Sequence, residues 1–140
     1  MIKRKFYARL EKFYSDNGRY ALLVDGARQV GKTFLIEEFA RSHYENVIEI
    51  NFIKEANARL IFQNIENESE ILEKLSAYSH KALRRGQTLV FLDEIQECPE
   101  AVTFIKFLVE RIYRRTAKEF RCGFDFVFEK KRRDQGNQRS

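Results

Sequence analysis

With 140 residues, 44% apolar side chains and 13 phenylalanines, the chain has material for one buried core, which excludes disorder throughout. The formal net charge of +5 is concentrated at one end: residues 1–110 carry 16 Lys/Arg against 17 Asp/Glu, and residues 111–140 carry 10 against 4. A basic face spread over the whole domain is therefore excluded, and the absence of a long apolar run or a signal-peptide core leads us to expect a cytoplasmic chain without a membrane partner.

Residues 3–14 place Phe6, Leu10 and Phe13 at helical spacing, with Lys3, Arg4, Lys5, Arg9 and Lys12 mostly elsewhere on the wheel. This predicts an amphipathic helix laid against a sheet, its basic face solvated. Asp16-Asn17-Gly18 turns the chain. Tyr20-Ala21-Leu22-Leu23-Val24-Asp25 then reads as a buried parallel strand, and Phe34 to Ala40 reads as a helix.

Between them lie Gly26, Ala27, Arg28, Gln29, Val30, Gly31, Lys32 and Thr33, which fill G-x-x-x-x-G-K-[ST] without substitution. Strand, glycine loop and helix are the setting this pattern requires. A loop wrapping a triphosphate aims several N–H groups inward, so glycine is needed where a Cβ would collide or φ must be positive. Lys32 opens the helix and offers an ammonium to the β and γ phosphates, aided by the helix dipole. Thr33 offers a hydroxyl to Mg²⁺. The nucleotide-binding stretch is therefore read as Gly26 through Phe34, with ATP and Mg²⁺ as its cofactors. A chance glycine turn beside a surface lysine is the bland alternative, and the flanking elements argue against it.

Asn46 to Phe52 alternates enough to be a strand near a sheet edge. Residues 55–80 predict two helices broken near Asn67-Glu68-Ser69, with Ser69 as a cap. His43 and His80 stand alone and read as surface or helix-end residues. Arg84-Arg85-Gly86-Gln87 leads tightly into Thr88-Leu89-Val90-Phe91-Leu92-Asp93-Glu94, an apolar run ending in two carboxylates at the C-terminal edge of a buried strand. Asp93 takes the Walker B role toward Mg²⁺. Glu94 is placed to polarise a water against the γ phosphate, making Glu94 and Lys32 the catalytic candidates. Pro99 fits the first turn of a helix running to about Arg111. Cys98 and Cys122 lack metal-ligand spacing, and reduced thiols are the simpler reading.

The strings GARQVGKT and FLDEIQECPEAVTFIKFL resemble the bacterial and archaeal AAA-type ATPases whose loop reads G-x-R-Q-V-G-K-T and whose acidic motif reads D-E-I-Q-x-x-P. Arg28, Gln29, Ile95, Gln96 and Pro99 carry the likeness beyond generic Walker motifs, over roughly residues 1–110. The resemblance implies an α/β fold, a P-loop NTPase parallel sheet flanked by helices, with ATP hydrolysis served by Gly31, Lys32, Thr33, Asp93 and Glu94. It implies a homo-oligomer for a complete domain, and a following winged-helix-like segment and nuclease-like domain.

After Glu110 the likeness stops. Members continue into a strand with a small polar sensor residue and later supply an arginine finger, neither of which is found here. Residues 1–110 are thus read as the N-terminal part of an AAA-type ATPase domain, incomplete and weakly active, and residues 111–140 as a basic tail. The tail supports a second function, weak nucleic-acid contact with Phe120, Phe124, Phe126 and Phe128 as stacking surfaces. Alternation in Phe124 to Phe128 also suits a buried strand, the one local candidate for the missing place in the sheet. A P-loop kinase or GTPase is disfavoured by Glu94 beside Asp93 and by the lack of an Asn-Lys-x-Asp string.

Overall fold

The computed structural model describes residues 2–16, 21–26, 31–104 and 125–131. Four parallel strands form one sheet: β1 (Leu22–Gly26), β2 (Asn46–Asn51), β3 (Thr88–Asp93) and β4 (Asp125–Lys131), lying side by side in the order β1-β4-β3-β2. Helices α1 (Ile2–Ser15), α2 (Lys32–His43) and α3 (Glu68–Ser79) flank it, and the described residues 99–104 are helical. This is the expected α/β architecture.

Side chains alternate across a strand, so the interior strands β3 and β4 each feed two cores. Val127 of β4, Leu89 and Phe91 of β3, and Leu22 and Val24 of β1 meet Leu10 and Phe13 of α1 and Ile36 and Phe39 of α2. On the other face Phe126 and Phe128, ring centroids 5.6 Å apart, join Val90, Leu92, Ile48, Ile50 and the α3 side chains Ile71 and Leu75. Burial of β3 is complete along its length, as its unbroken apolar run requires.

The interior position of β4 is the main topological finding. Its register pairs Leu22 with Val127 and Gly26 with Lys131 on one side, and Leu89 with Asp125 and Leu92 with Phe128 on the other. The residues expected to fill the gap between β1 and β3 do so, and the strand runs past Phe128 to Lys131. Phe126 and Phe128 are fully buried, so they are not surfaces on which bases could stack. Phe120, Phe124 and the predicted helix beyond residue 104 lie outside the described residues.

Two local expectations are corrected. The cap of α3 is Asn67, whose side chain accepts a hydrogen bond from the Glu70 N–H at 3.1 Å; Ser69 lies one residue inside the helix. The first helix of 55–80 is a 3₁₀ segment, Ala56–Phe62, which buries Ala58, Ile61 and Phe62. His80 ends α3 in the left-handed region, and His43 stacks on Phe39 at 4.0 Å, so both histidines have the structural roles expected of them.

One buried polar pair was not foreseen. The Tyr44 hydroxyl donates to Asp125 Oδ2 beneath the start of β4. Burial raises the Asp125 carboxyl above the ordinary aspartate value, with the Tyr44 hydrogen bond working against it. An unfolded aspartate loses its proton near pH ~4, whereas the folded one holds it to higher pH. The folded state thus binds more protons in that window, and this group's contribution to stability falls as pH rises through it, by up to ~1.4 kcal/mol per pH unit. Urea midpoints of the protein and of Asp125→Asn between pH 4 and 7 test this: the variant should show the shallower decline, and parallel curves would assign the slope elsewhere.

Candidate functional site

Gly26 closes β1 and Lys32 opens α2, so both ends of the glycine loop stand at the C-terminal edge of the sheet. Ala27, Arg28, Gln29 and Val30 lie outside the described residues. Gly31 caps α2 with φ 72° and ψ 21°, a left-handed conformation that a Cβ would disfavour. Lys32 Nζ sits 5.6 Å from the centroid of the Phe6 ring on α1, a cation–π contact. Phe34 is largely exposed.

Across β4, the end of β3 presents Asp93 and Glu94, both buried. Glu94 adopts φ 56° and ψ 44°, a left-handed conformation costly for a residue with a side chain. Its N–H donates to Asp93 Oδ1 at 2.8 Å, which offsets part of that cost and fixes the turn. Gln96 then uses both halves of its amide. Its Nε2 donates to Glu94 Oε1 at 2.7 Å, and its Oε1 accepts from the Lys131 N–H at 3.1 Å, tying the acidic turn to β4.

The end of β4 closes the constellation. The Lys131 ammonium donates to Asp93 Oδ2 at 3.1 Å and to Glu94 Oε2 at 3.3 Å. Glu129 Oε1 accepts from the Thr33 hydroxyl at 2.7 Å. Burial pushes the Glu129 carboxyl up to about 7; the Thr33 hydrogen bond pulls against this and the Asp93 charge adds to it. Burial opposes the Lys131 ammonium, but the hydrogen bond and charge of Asp93, followed by Glu129 and Glu94, hold it above the ordinary lysine value.

A polar cavity of about 390 Å³ opens here, lined by Thr33, Asp93 and Lys131 together with Glu37, Glu49 and Glu55. Glu49 is pushed up to about 8, first by loss of solvent around its carboxyl and then by its hydrogen bond with Glu37. The donor chemistry suits Mg²⁺, whose preferred ligands are hard oxygens, few of them from protein. A Thr33 hydroxyl that gives its hydrogen to Glu129 keeps its oxygen lone pairs for a cation, and Asp93 lies across the strand from it. Among the described residues no cluster of three or more His, Cys, Asp or Glu side chains is preformed around a metal position.

Thr33, Asp93, Glu94 and Lys32 therefore converge on one sheet edge. Missing from the sequence expectation were Glu129, Lys131 and the role of Gln96. A charged residue on the same strand face as Val127, at the very place where a small polar sensor was expected, was the available signal. Burial also raises the Cys98 thiol, which is free; Cys122 lies outside the described residues. No described helix is long and apolar enough to cross a membrane.

Comparison with known proteins bears on the fold and the family. A search of curated proteins returns no match. Among solved structures, that of Drosophila ORC bound to DNA superposes with a TM-score of 0.52 at 16% identity, covering 97% of this chain and 39% of that one. At that identity the likeness shows the fold alone. The AAA domain family model matches residues 18–120, from just before β1 to within five residues of β4. With residues 18–120 of its 140 matched by that model, the chain belongs to the AAA domain family.

Proposed function

We propose that the chain binds ATP at Gly26 to Phe34 and hydrolyses it slowly in the presence of Mg²⁺. The observation that carries this reading is the convergence of Lys32, Thr33, Asp93 and Glu94 on one edge of the sheet, the glycine loop on β1 and the acids on β3. Gly31 precedes the first turn of α2, whose N–H groups and aligned dipoles favour phosphate at the helix N-terminus. Lys32 neutralises the β and γ phosphates, and Thr33 and Asp93 would hold the cation. Mg²⁺ when bound supplies charge neutralisation at the phosphoryl oxygens.

Glu94 is the base that orients and deprotonates water. In its present contacts one oxygen accepts from Gln96 and the other from Lys131. Slow turnover is part of this reading because the Lys131 ammonium competes with water for Glu94 Oε2. On this reading residues 1–110 form the N-terminal part of the ATPase domain, and residues 111–140 contribute β4 and further basic residues.

A fluorescent ATP analogue titrated against the 140-residue chain should saturate, and Glu94→Gln should preserve binding while suppressing phosphate release by at least about 100-fold. Absence of saturation would sink the nucleotide site. Equal phosphate release from the two forms would remove Glu94 from its role.

A further inference from the structure

We propose that Lys131 is the resident cation of the metal pocket, which a divalent ion must displace in order to bind Asp93, and that Glu129 holds the Thr33 hydroxyl as an acceptor toward that ion. The inference rests on the Proposed function reading for the identity of the pocket, but its geometry stands on its own. Three buried carboxylates, Asp93, Glu94 and Glu129, crowd the end of the sheet. Carboxylates out of water are retained only when paired. The ammonium within hydrogen-bond distance of two of them is that of Lys131, at 3.1 and 3.3 Å.

The backbone explains why this lysine reaches the site. β4 lies between β1 and β3, and its register sets Lys131 opposite Gly26, where the glycine loop begins. Alternation puts Lys131 on the same face as Glu129, which faces Thr33. The Gln96 amide fixes the Lys131 main chain, so the side chain leaves from a defined point and needs no loop movement to reach Asp93. A lysine here has the sign and the hydrogen-bonding partners of a bound cation, with one charge where a divalent ion has two. Bringing in the ion costs the Lys131 contacts and returns a larger charge, so the native chain takes divalent ions weakly and the pocket without Lys131 takes them well.

Glu129 has a separate part. By accepting the hydroxyl hydrogen at 2.7 Å it leaves the Thr33 oxygen with lone pairs only, as a metal ligand requires. Glu129 is therefore a positioning residue, acting through Thr33.

The test uses Mn²⁺ alone, without nucleotide, followed by electron paramagnetic resonance of the free ion on the 140-residue chain. Lys131→Met should bind Mn²⁺ at least about tenfold more tightly than the native chain, Lys131→Arg should bind like the native chain, and Lys131→Met with Asp93→Asn should lose the gain. Equal affinity of the native chain and Lys131→Met overturns the proposal. Should Lys131→Met prove unfolded without metal, its circular dichroism is titrated with Mn²⁺. Recovery of the folded signal that Asp93→Asn abolishes supports the proposal, and failure to recover overturns it. Binding of the ATP analogue is measured separately in EDTA, so that loss of the nucleotide reading is visible independently of the Mn²⁺ result. For Glu129, replacement by Leu, which has no acceptor, should weaken Mn²⁺ binding to Lys131→Met several-fold, and by clearly less once Thr33→Ala has removed the hydroxyl; an undiminished effect in the Thr33→Ala background overturns the positioning role.

Discussion

A chain ending before residue 125 is expected to lose its cooperative thermal transition altogether. β4 is paired on both sides, so its removal leaves the facing edges of β1 and β3 without partners. It also withdraws Phe126, Val127 and Phe128, all fully buried, from the two cores. A buried phenylalanine cut to alanine costs about 3–5 kcal/mol, and two of them already reach into the ~5–15 kcal/mol that holds an ordinary domain together. The graded version is Phe128→Ala, which should lower the melting temperature by roughly 10 °C or more, on the scale of a few degrees per kcal/mol. Circular dichroism melts decide the matter. A truncated chain that melts sharply at the native temperature would mean that β4 contributes nothing the sheet needs.

Lys32→Ala should weaken binding of an ATP analogue by about 10- to 100-fold, since a hydrogen bond to a charged group contributes about 1.5–3 kcal/mol. Against that gain stands the contact Lys32 already makes: leaving the Phe6 ring costs about 0.5–1 kcal/mol at an accessible site. Phosphate wins the competition, but by a margin that Phe6 reduces. Phe6→Leu should therefore change affinity in the opposite direction, tightening it by less than about fivefold. Isothermal titration of the two variants gives both signs. A Lys32→Ala chain with native affinity would mean that the ammonium never reaches the phosphates.

Much of the architecture was legible because it is written locally. The unbroken apolar run of Thr88 to Leu92 needs burial on both faces, and Gly31-Lys32 marks the junction of loop and helix through the conformation glycine permits. β4 was legible in part: its alternating phenylalanines gave the strand, but its last residues and their partners were decided by register with β1 and β3, which no local pattern records. Lys131 meets Asp93 across a separation of 38 residues, and Thr33 meets Glu129 across 96, so the sequence, which joined Thr33 and Asp93 through their motifs, marked neither Lys131 nor Glu129 as their partner. Gln96 stood out as a letter of the motif without a visible task, because its second partner is the Lys131 main chain. The Tyr44–Asp125 pair was hidden for the same reason. Ser69 was mistaken for a cap where Asn67, two residues earlier, has the more favourable extended backbone for the purpose.

The place of β4 also governs how the molecule comes into being. It is an interior strand, yet the last of the four to leave the ribosome, so β1 on one side and the β2–β3 pair on the other wait without the element that joins them. During that interval two strand edges offer unpaired N–H and C=O groups to any neighbouring chain, and long-range parallel pairing is slow to resolve the exposure. Newly made chains are most adhesive before residues 125–131 have joined the sheet, and crowded synthesis is where they would be lost to aggregates.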